Sequence, residues 1–415
     1  MKHDKQVERD ASKTLFWLVV VVFFLGIAQS VNMAALSLYA VDFGLDDSQI
    51  AAVLGWASVG AIGTLAIGRQ IDRVGRRRVL LLSIMGFSAG ALACALAQGA
   101  ISLVLALAFG GAFGGAAMAA ILVIVAEELP TEMRASGQAR IALVTQVGAG
   151  SALVLVALLA DVPGGWRWAW VVVALPAVLL PVFVRKFSET ASFARSSVTA
   201  ASERGRVSEL FELQYRRRTI GVLGGSFLMI GSVSLLVTYL LYYPETALGL
   251  EVGSVTVLVI VGGAIGLVGF LLGAAVSDRI GRRPTVLIFG AGTALSMISY
   301  YHVPVDASPS PTLLLGALYS VGSVCIGATM VASRTAMTEL FPTRLRGTIQ
   351  GMNMLGQAIA FMAAQFAMSV LSAEFGFVPA ITALGCIGAL GYPFFYLVVP
   401  ETVGLDLDVA AMESD

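Results

Sequence analysis

Long apolar runs recur along the chain, separated by short polar or glycine-containing breaks, and no stretch mixes charged and apolar positions evenly as a water-soluble domain does. A helix needs about 20 mostly apolar residues to cross the hydrocarbon core, because every backbone N–H and C=O must be paired within the segment. Runs of that length fall at 15–41, 48–71, 77–99, 101–127, 137–160, 166–185, 218–243, 253–277, 284–304, 311–337, 346–373 and 376–399. The pattern predicts an all-α membrane protein with twelve transmembrane helices. The first run follows a charged leader without a small-residue cleavage pattern, so it is read as a span and not as a removed signal.

Composition agrees with this reading: 58% of the 415 residues are hydrophobic and 13% charged. The 26 basic residues sharpen it, because all except Arg167 lie in the leader, in 69–78, 134–140, 185–218 and 279–283, or in 334–346. By the positive-inside rule these are cytoplasmic, which puts both termini inside a cell membrane, plasma or inner. A formal net charge of zero offers no patch for nucleic acid. Cys94, Cys325 and Cys386 lie within spans and read as packing residues, while His3 and His302 are too isolated for a metal site. With no phosphate loop and no Ser/His/Asp set, neither an enzyme nor a cofactor is expected.

The chain is doubled. "IDRVGRRRVLL" and "SDRIGRRPTVL" align Asp72, Arg73, Gly75 and Arg76 with Asp278, Arg279, Gly281 and Arg282, an offset of 206. "EELPTEMRASG" and "TELFPTRLRGT" align Glu127, Pro130 and Arg134 with Glu339, Pro342 and Arg346, an offset of 212. Two offsets near half the length indicate six-span halves in the same orientation. The expected organisation is a leader at 1–14, a bundle at 15–186, a linker at 187–217, a second bundle at 218–399 and a tail at 400–415. Within the linker, "SELFEL" reads as a short amphipathic helix.

The G-x-x-x-D-R-x-G-R-R pattern between the second and third of twelve spans, repeated between the eighth and ninth, resembles the major facilitator superfamily. The likeness covers nearly the whole chain, and the second copy departs from it with Ala274 in place of Gly68. The stretch "GGAFGGAAMAAILVIVAEELPTEMRASG" is similar to the metabolite–proton symporter, sugar porter and organic-ion transporter branches. "VPETVGLDLD" resembles the sugar-porter tail, with Val403 where a basic residue is usual, and "FSETASF" resembles the pattern after the sixth span without its proline and arginine. The fifth span lacks the Gly-Pro pair of drug/proton antiporters. This resemblance implies two six-helix bundles that transport a small organic solute by alternating access.

It also implies a latch of Asp72, Arg76 and Glu127, and a second of Asp278, Arg282 and Glu339, with Gly68, Arg73, Arg134, Arg279 and Arg346 in the same gating motifs. Physically, a carboxylate at the inner end of a span can cap a neighbouring helix or pair with a base, and the pair must break for release. Gly75 and Gly281 let the turn adopt angles other residues avoid. Arg77 and Arg78 read as topology anchors, and Ala274 as a sign of looser helix approach than at Gly68.

A transported solute needs polar groups part-way along the spans. Gln29 and Asn32 in span one, Gln146 in span five, and Asn353 and Gln357 in span eleven meet that condition, with Trp56 and Tyr239 as stacking candidates. Ser234, Thr238 and Tyr242 recur every four residues as one stripe, whereas Trp166, Trp168 and Trp170 read as an interface belt. Gly110/Gly114, Gly111/Gly115 and Gly262/Gly266 have small-xxx-small spacing for close helix contact. Arg334, about a turn and a half before Glu339, either attracts an anionic substrate or pairs with that glutamate. No Asp or Glu lies mid-span, so the proton-coupling candidates are Asp42, Glu127, Glu128 and Glu339.

The expected function is proton-coupled symport of an organic acid, sugar-like solute or related metabolite by a monomer in the lipid bilayer. A drug or metabolite exporter, and a non-transporting membrane sensor, are the alternative readings.

Overall fold

A computed structural model describes residues 2–68, 70, 75–128, 131–186, 207–304, 306 and 310–402. The secondary structure of those residues is helical, without strands. The first half comprises α1 (Lys2–Ala34), α2 (Leu36–Phe43), α3 (Asp47–Ala57), α4 (Gly60–Gly68), α5 (Arg76–Ala95), α6 (Ala100–Glu128), α7 (Thr131–Leu159), α8 (Gly165–Val173) and α9 (Pro176–Lys186). The second comprises α10 (Leu213–Thr238), α11 (Tyr242–Thr246), α12 (Val252–Ile280), α13 (Arg282–Tyr300), α14 (Pro311–Glu339), α15 (Thr343–Phe375), α16 (Phe377–Ala389) and α17 (Gly391–Val398). The "SELFEL" segment departs from expectation. The backbone is helical from Lys2, and Val207–Phe211 forms a 3₁₀ turn with Leu210 buried.

Five predicted spans are broken into helix pairs. The sixth breaks ahead of Pro176, whose ring removes an N–H and pushes the preceding residue out of the helical region. The second breaks at Ser58, whose hydroxyl bonds back to the Gly55 carbonyl. The seventh breaks at Tyr239–Leu241, ahead of Pro244, and the twelfth at Leu390, ahead of Gly391 and Pro393. The first is interrupted at Ala35, with φ −97° and ψ 7°, while its backbone bonds continue from Ala35 to Val31 and from Tyr39 to Ala35. The seventh break separates Ser234 and Thr238 from Tyr242, so these three do not form the expected single stripe.

Among the described residues, eleven segments are long and apolar enough to cross a membrane. The twelfth, α13, opens with Arg-Arg-Pro and carries two serines and two threonines, which lowers its hydropathy without altering its helix. The chain is a twelve-span, all-α membrane protein.

It divides into two compact units, one of Met1–Asp46 and Val53–Ala200, the other of Asp47–Ala52 and Ala201–Asp415. The same helix pairing recurs inside each. Span one packs on span five as α1 on α7, and span seven on span eleven as α10 on α15. Spans two and three pack on span four as α4 and α5 on α6, and spans eight and nine on span ten as α12 and α13 on α14.

Glycines set several of these approaches. A Cβ at Gly63 would lie 2.7 Å from the Ala112 Cβ, and one at Gly269 would lie 2.1 Å from the Val324 carbonyl oxygen. The 206 and 212 offsets map Gly63 onto Gly269 and Ala112 onto Val324, so the duplication extends to individual helix contacts. Gly262, Gly266, Gly110, Gly114 and Gly115 also face neighbouring side chains or backbone, whereas Gly111 and Gly68 have nothing within 4 Å of an added Cβ. Gly68 therefore makes no close approach to any described residue, and Ala274 at the equivalent place sacrifices none. Cys94 is buried, but Cys386 is exposed on the protein surface and does not pack inside the unit.

Candidate functional site

The repeated turn has one backbone geometry in both units. Gly75 holds φ 108° and ψ 149°, and Gly281 holds φ 106° and ψ 159°. Each precedes the first residue of a helix, α5 or α13, in a region a side chain strongly disfavours. The arginine after next then reaches the same target twice. The Arg77 Nη2 donates to the Val184 carbonyl at 2.6 Å, and the Arg283 Nε donates to the Tyr396 carbonyl at 2.7 Å. Val184 and Tyr396 are themselves 212 positions apart. Arg77 thus secures the sixth span's backbone in addition to marking charge, which the topology-anchor reading did not include.

At the arginine-rich end of the second unit, the structure brings Asp278, Arg282 and Glu339 together. Arg282 Nε and Nη2 donate to the two oxygens of Glu339 at 3.1 and 2.9 Å, a bidentate fork, while Nη1 pairs with Asp278 at 2.9 Å and donates to the Ser277 carbonyl. Side-chain exposures decide which pair matters. Arg282 and Glu339 are 11% and 16% exposed, Asp278 is 69% exposed, and water screens the latter pair far more.

Two further residues complete this cluster, neither identified from sequence as a site residue. Glu401 accepts the first two backbone N–H groups of α13, from Arg282 at 2.8 Å and Arg283 at 3.0 Å, so an anion sits at the positive end of the helix dipole. The Thr402 hydroxyl donates to Glu339. The motif signal was present in "VPETVG", but a sequence does not tell which helix a tail carboxylate will cap. The end of α14 is closed by two more cations: buried Arg218 donates to the Leu340 carbonyl and Arg346 to that of Phe341, each at 3.0 Å. Arg283 also stacks over the Tyr396 ring at 4.8 Å. Arg279 is exposed in the last turn of α12.

In the first unit, Arg76 is buried. Asp72 and Arg73, and the side chains of Glu127, Glu128 and Arg134, lie outside the described residues.

The proposed solute contacts divide by burial. Gln29 and Gln146 are exposed, Gln357 is half-buried, and Trp56 is 58% exposed. Asn32 and Asn353 each carry a buried side-chain oxygen with no hydrogen-bond partner among the described residues. Tyr239 and Tyr242 are buried with rings 5.9 Å apart. Tyr239 donates to Gln365 Oε1 at 2.8 Å and Tyr242 to Asp47 Oδ1 at 2.6 Å, so both hydroxyls are engaged by protein. Gln365, missed from sequence, is fully buried and its Nε2 has no partner among the described residues. Arg334 is exposed and does not pair with Glu339; no described carboxylate lies within ion-pair distance of it.

At the opposite end of the first unit, Asp42 Oδ2 accepts from both Trp166 Nε1 and Arg167 Nη1 at 2.8 Å, and Arg167 Nη2 donates to the Ala97 carbonyl. Trp170 Nε1 donates to the Tyr39 hydroxyl. Trp166 and Trp170 are buried, which overturns the interface-belt reading for both; only Trp168 faces outward. Their indole N–H groups find partners inside the unit, so they have no need of the headgroup layer.

Comparison with known proteins matches this architecture. The Major Facilitator Superfamily profile covers residues 18–365. A probable 4-methylmuconolactone transporter of Cupriavidus pinatubonensis is 28% identical, over 85% of this chain and 84% of its own length. A D-xylose-proton symporter-like protein of Arabidopsis thaliana is 26% identical, over 92% and 84% respectively. The crystal structure of a D-xylose-proton symporter superposes with a TM-score of 0.79 at 19% identity, covering 95% of this chain and 99% of that one. With a doubled six-span fold, a repeated glycine–arginine turn and a family match over most of its length, the chain belongs to the Major Facilitator Superfamily and is a secondary transporter of small organic solutes.

Proposed function

We propose that the protein is a proton-coupled symporter of a small organic metabolite, an organic acid or a sugar-like solute, working as a monomer in the cell membrane with both termini in the cytoplasm. Its bundles at 15–186 and 218–399, joined by the 187–217 linker, alternate between access to the two sides. The observation that carries this reading is the partly buried Arg282–Glu339 fork at the end of α14, because a charge-assisted bidentate bond holds one arrangement of helices and releases when they separate. Asp278, Arg279, Gly281 and Arg346 support the fork in the second bundle, and Gly68, Asp72, Arg73, Gly75, Arg76, Glu127 and Arg134 form its counterpart in the first.

Gln29, Asn32, Trp56, Gln146, Tyr239, Tyr242, Arg334, Asn353 and Gln357 supply the solute contacts. The proton is carried by a carboxylate of the set Asp42, Glu127, Glu128 and Glu339. Two of these already serve arginines, Asp42 holding Arg167 and Glu339 holding Arg282. The symporter name of the Arabidopsis relative and the lactone transporter name of the Cupriavidus relative support this class of cargo and coupling. Uptake of a labelled panel of organic acids and sugars into proteoliposomes, with and without an imposed pH gradient, tests it. Accumulation driven by an inward proton gradient is expected, and accumulation indifferent to every ion gradient overturns the symport reading.

A further inference from the structure

Four arginines at the arginine-rich end of the second unit have an assigned structural partner. Arg282 is held by Glu339 and Asp278, Arg218 and Arg346 by carbonyls at the end of α14, and Arg283 by the Tyr396 carbonyl. Arg334, on α14 itself, has no carboxylate partner among the described residues. The nearest acid in sequence, Glu339, is committed to Arg282 and Thr402.

The helix geometry shows that Arg334 is not holding the unit together. It lies about 200° around the helix axis from both Ala332 and Ala336 at about 100° per residue. Those two alanines are fully buried in the apolar core with Leu340, Phe341, Tyr392 and Phe395. Arg334 therefore points away from the core, and its side chain is exposed. It also sits about 7.5 Å inside the end of α14 marked by Glu339, at 1.5 Å per residue. Arg334 lies inside the apolar span Pro311–Glu339, and ionisable residues within membrane helices face the bundle interior or water-filled paths and mark function. A cation that neither packs the core nor closes an ion pair is free to bind a ligand's charge.

We infer that Arg334 determines solute specificity and that the solute is a small carboxylate, recognised through its charge by the Arg334 guanidinium. The planar fork of arginine matches a carboxylate with two parallel N–H···O bonds. One guanidinium balances one carboxylate, whereas a phosphate near −2 would remain half uncompensated. This inference rests on the transporter reading and selects the organic-acid arm of it over the sugar-like arm.

The test uses the purified full-length protein in a non-ionic detergent, which removes lipid headgroups as a competing anion. Calorimetric titration compares benzoate and gallate, each with a single carboxylate, with the primary amides of the same acids and with D-xylose. At least one acid is expected to bind at least tenfold tighter than its amide. Arg334→Gln is expected to abolish that difference at an unchanged melting temperature, and Arg334→Lys to restore part of it; if the glutamine variant does not fold, the lysine variant alone carries the comparison. The inference is overturned if no acid binds, if amides or xylose bind as tightly as the acids, or if both variants bind as the native protein does. Proteoliposome uptake separates this from the parent reading. Acid binding lost in Arg334→Gln but without uptake in the native protein sinks transport and keeps the anion site. Uptake of xylose unchanged by Arg334→Gln sinks the anion site and keeps transport.

Discussion

Arg282 grips Glu339 through two parallel bonds of 3.1 and 2.9 Å, and both side chains are largely withdrawn from water. Removing the charge of one partner leaves the other's uncompensated, so Glu339→Gln is expected to lower the melting temperature and to slow uptake by about tenfold or more, the scale of a gating defect. Solute affinity should change by less than about twofold, since the fork closes a helix end and touches no proposed solute contact. Asp72→Asn is expected to act likewise in the first bundle. Equilibrium binding lost in either variant, measured by titration, would show that these residues form a binding site and not a latch.

Gly75 and Gly281 share a backbone conformation that an L side chain takes only under strain. At Gly281 an added Cβ would also lie 2.6 Å from Glu401 Oε2, displacing the carboxylate that caps α13. Gly281→Ala is expected to destabilise the protein by about 1–3 kcal/mol, and Gly75→Ala by a similar strain cost. Thermal unfolding in detergent checks both; an unchanged midpoint for Gly281→Ala contradicts the assigned turn geometry.

The contact of α12 with α14 depends on Gly269, where a Cβ would come within 2.1 Å of the Val324 carbonyl oxygen, a backbone atom that cannot rotate aside. Gly269→Val is expected to push the helices apart and to cut the yield of folded protein severalfold, as overpacking costs of about 1–3 kcal/mol predict. Gly111→Ala meets nothing within 4 Å and serves as the neutral control. Size-exclusion profiles of the two variants should differ clearly.

Tyr239 and Gln365 are both fully buried, and the tyrosine hydroxyl is the only described partner of the amide oxygen. Tyr239→Phe leaves that oxygen unpaired at a cost of about 1–3 kcal/mol in general, nearer 0.6 kcal/mol by membrane-protein averages. The double variant Tyr239→Phe/Gln365→Leu removes both polar partners and is expected to regain part of the loss. A double variant less stable than the single by thermal denaturation argues that Gln365 serves a ligand or another group instead.

Much of the fold was legible from the chain. Apolar runs marked the spans because a bilayer tolerates few other patterns, and the repeats at Asp72/Asp278 and Pro130/Pro342 showed the doubling because related turns need the same residues. The site was less legible. Asp278, Arg282 and Glu339 could be grouped by motif, yet the part of Glu401 depended on which helix start the residues after α17 reach. Trp166 and Trp170 were misplaced because an indole near a span end suits an interface equally well, and only the positions of Asp42 and Tyr39 bring the N–H groups inside. The Ser234–Thr238–Tyr242 stripe failed because Pro244 acts several residues upstream, where periodicity alone still reads as helix.

The sequence by itself determined the class of protein, its span count and its internal duplication, since hydrophobic length, basic-residue placement and glycine-marked turns are local properties. The tertiary structure decided which charges are paired: Glu339 went to Arg282 and not to Arg334, although Arg334 is closer along the chain. Pairing depends on side-chain direction around a helix and on the approach of a second helix, and neither is encoded by spacing in one segment.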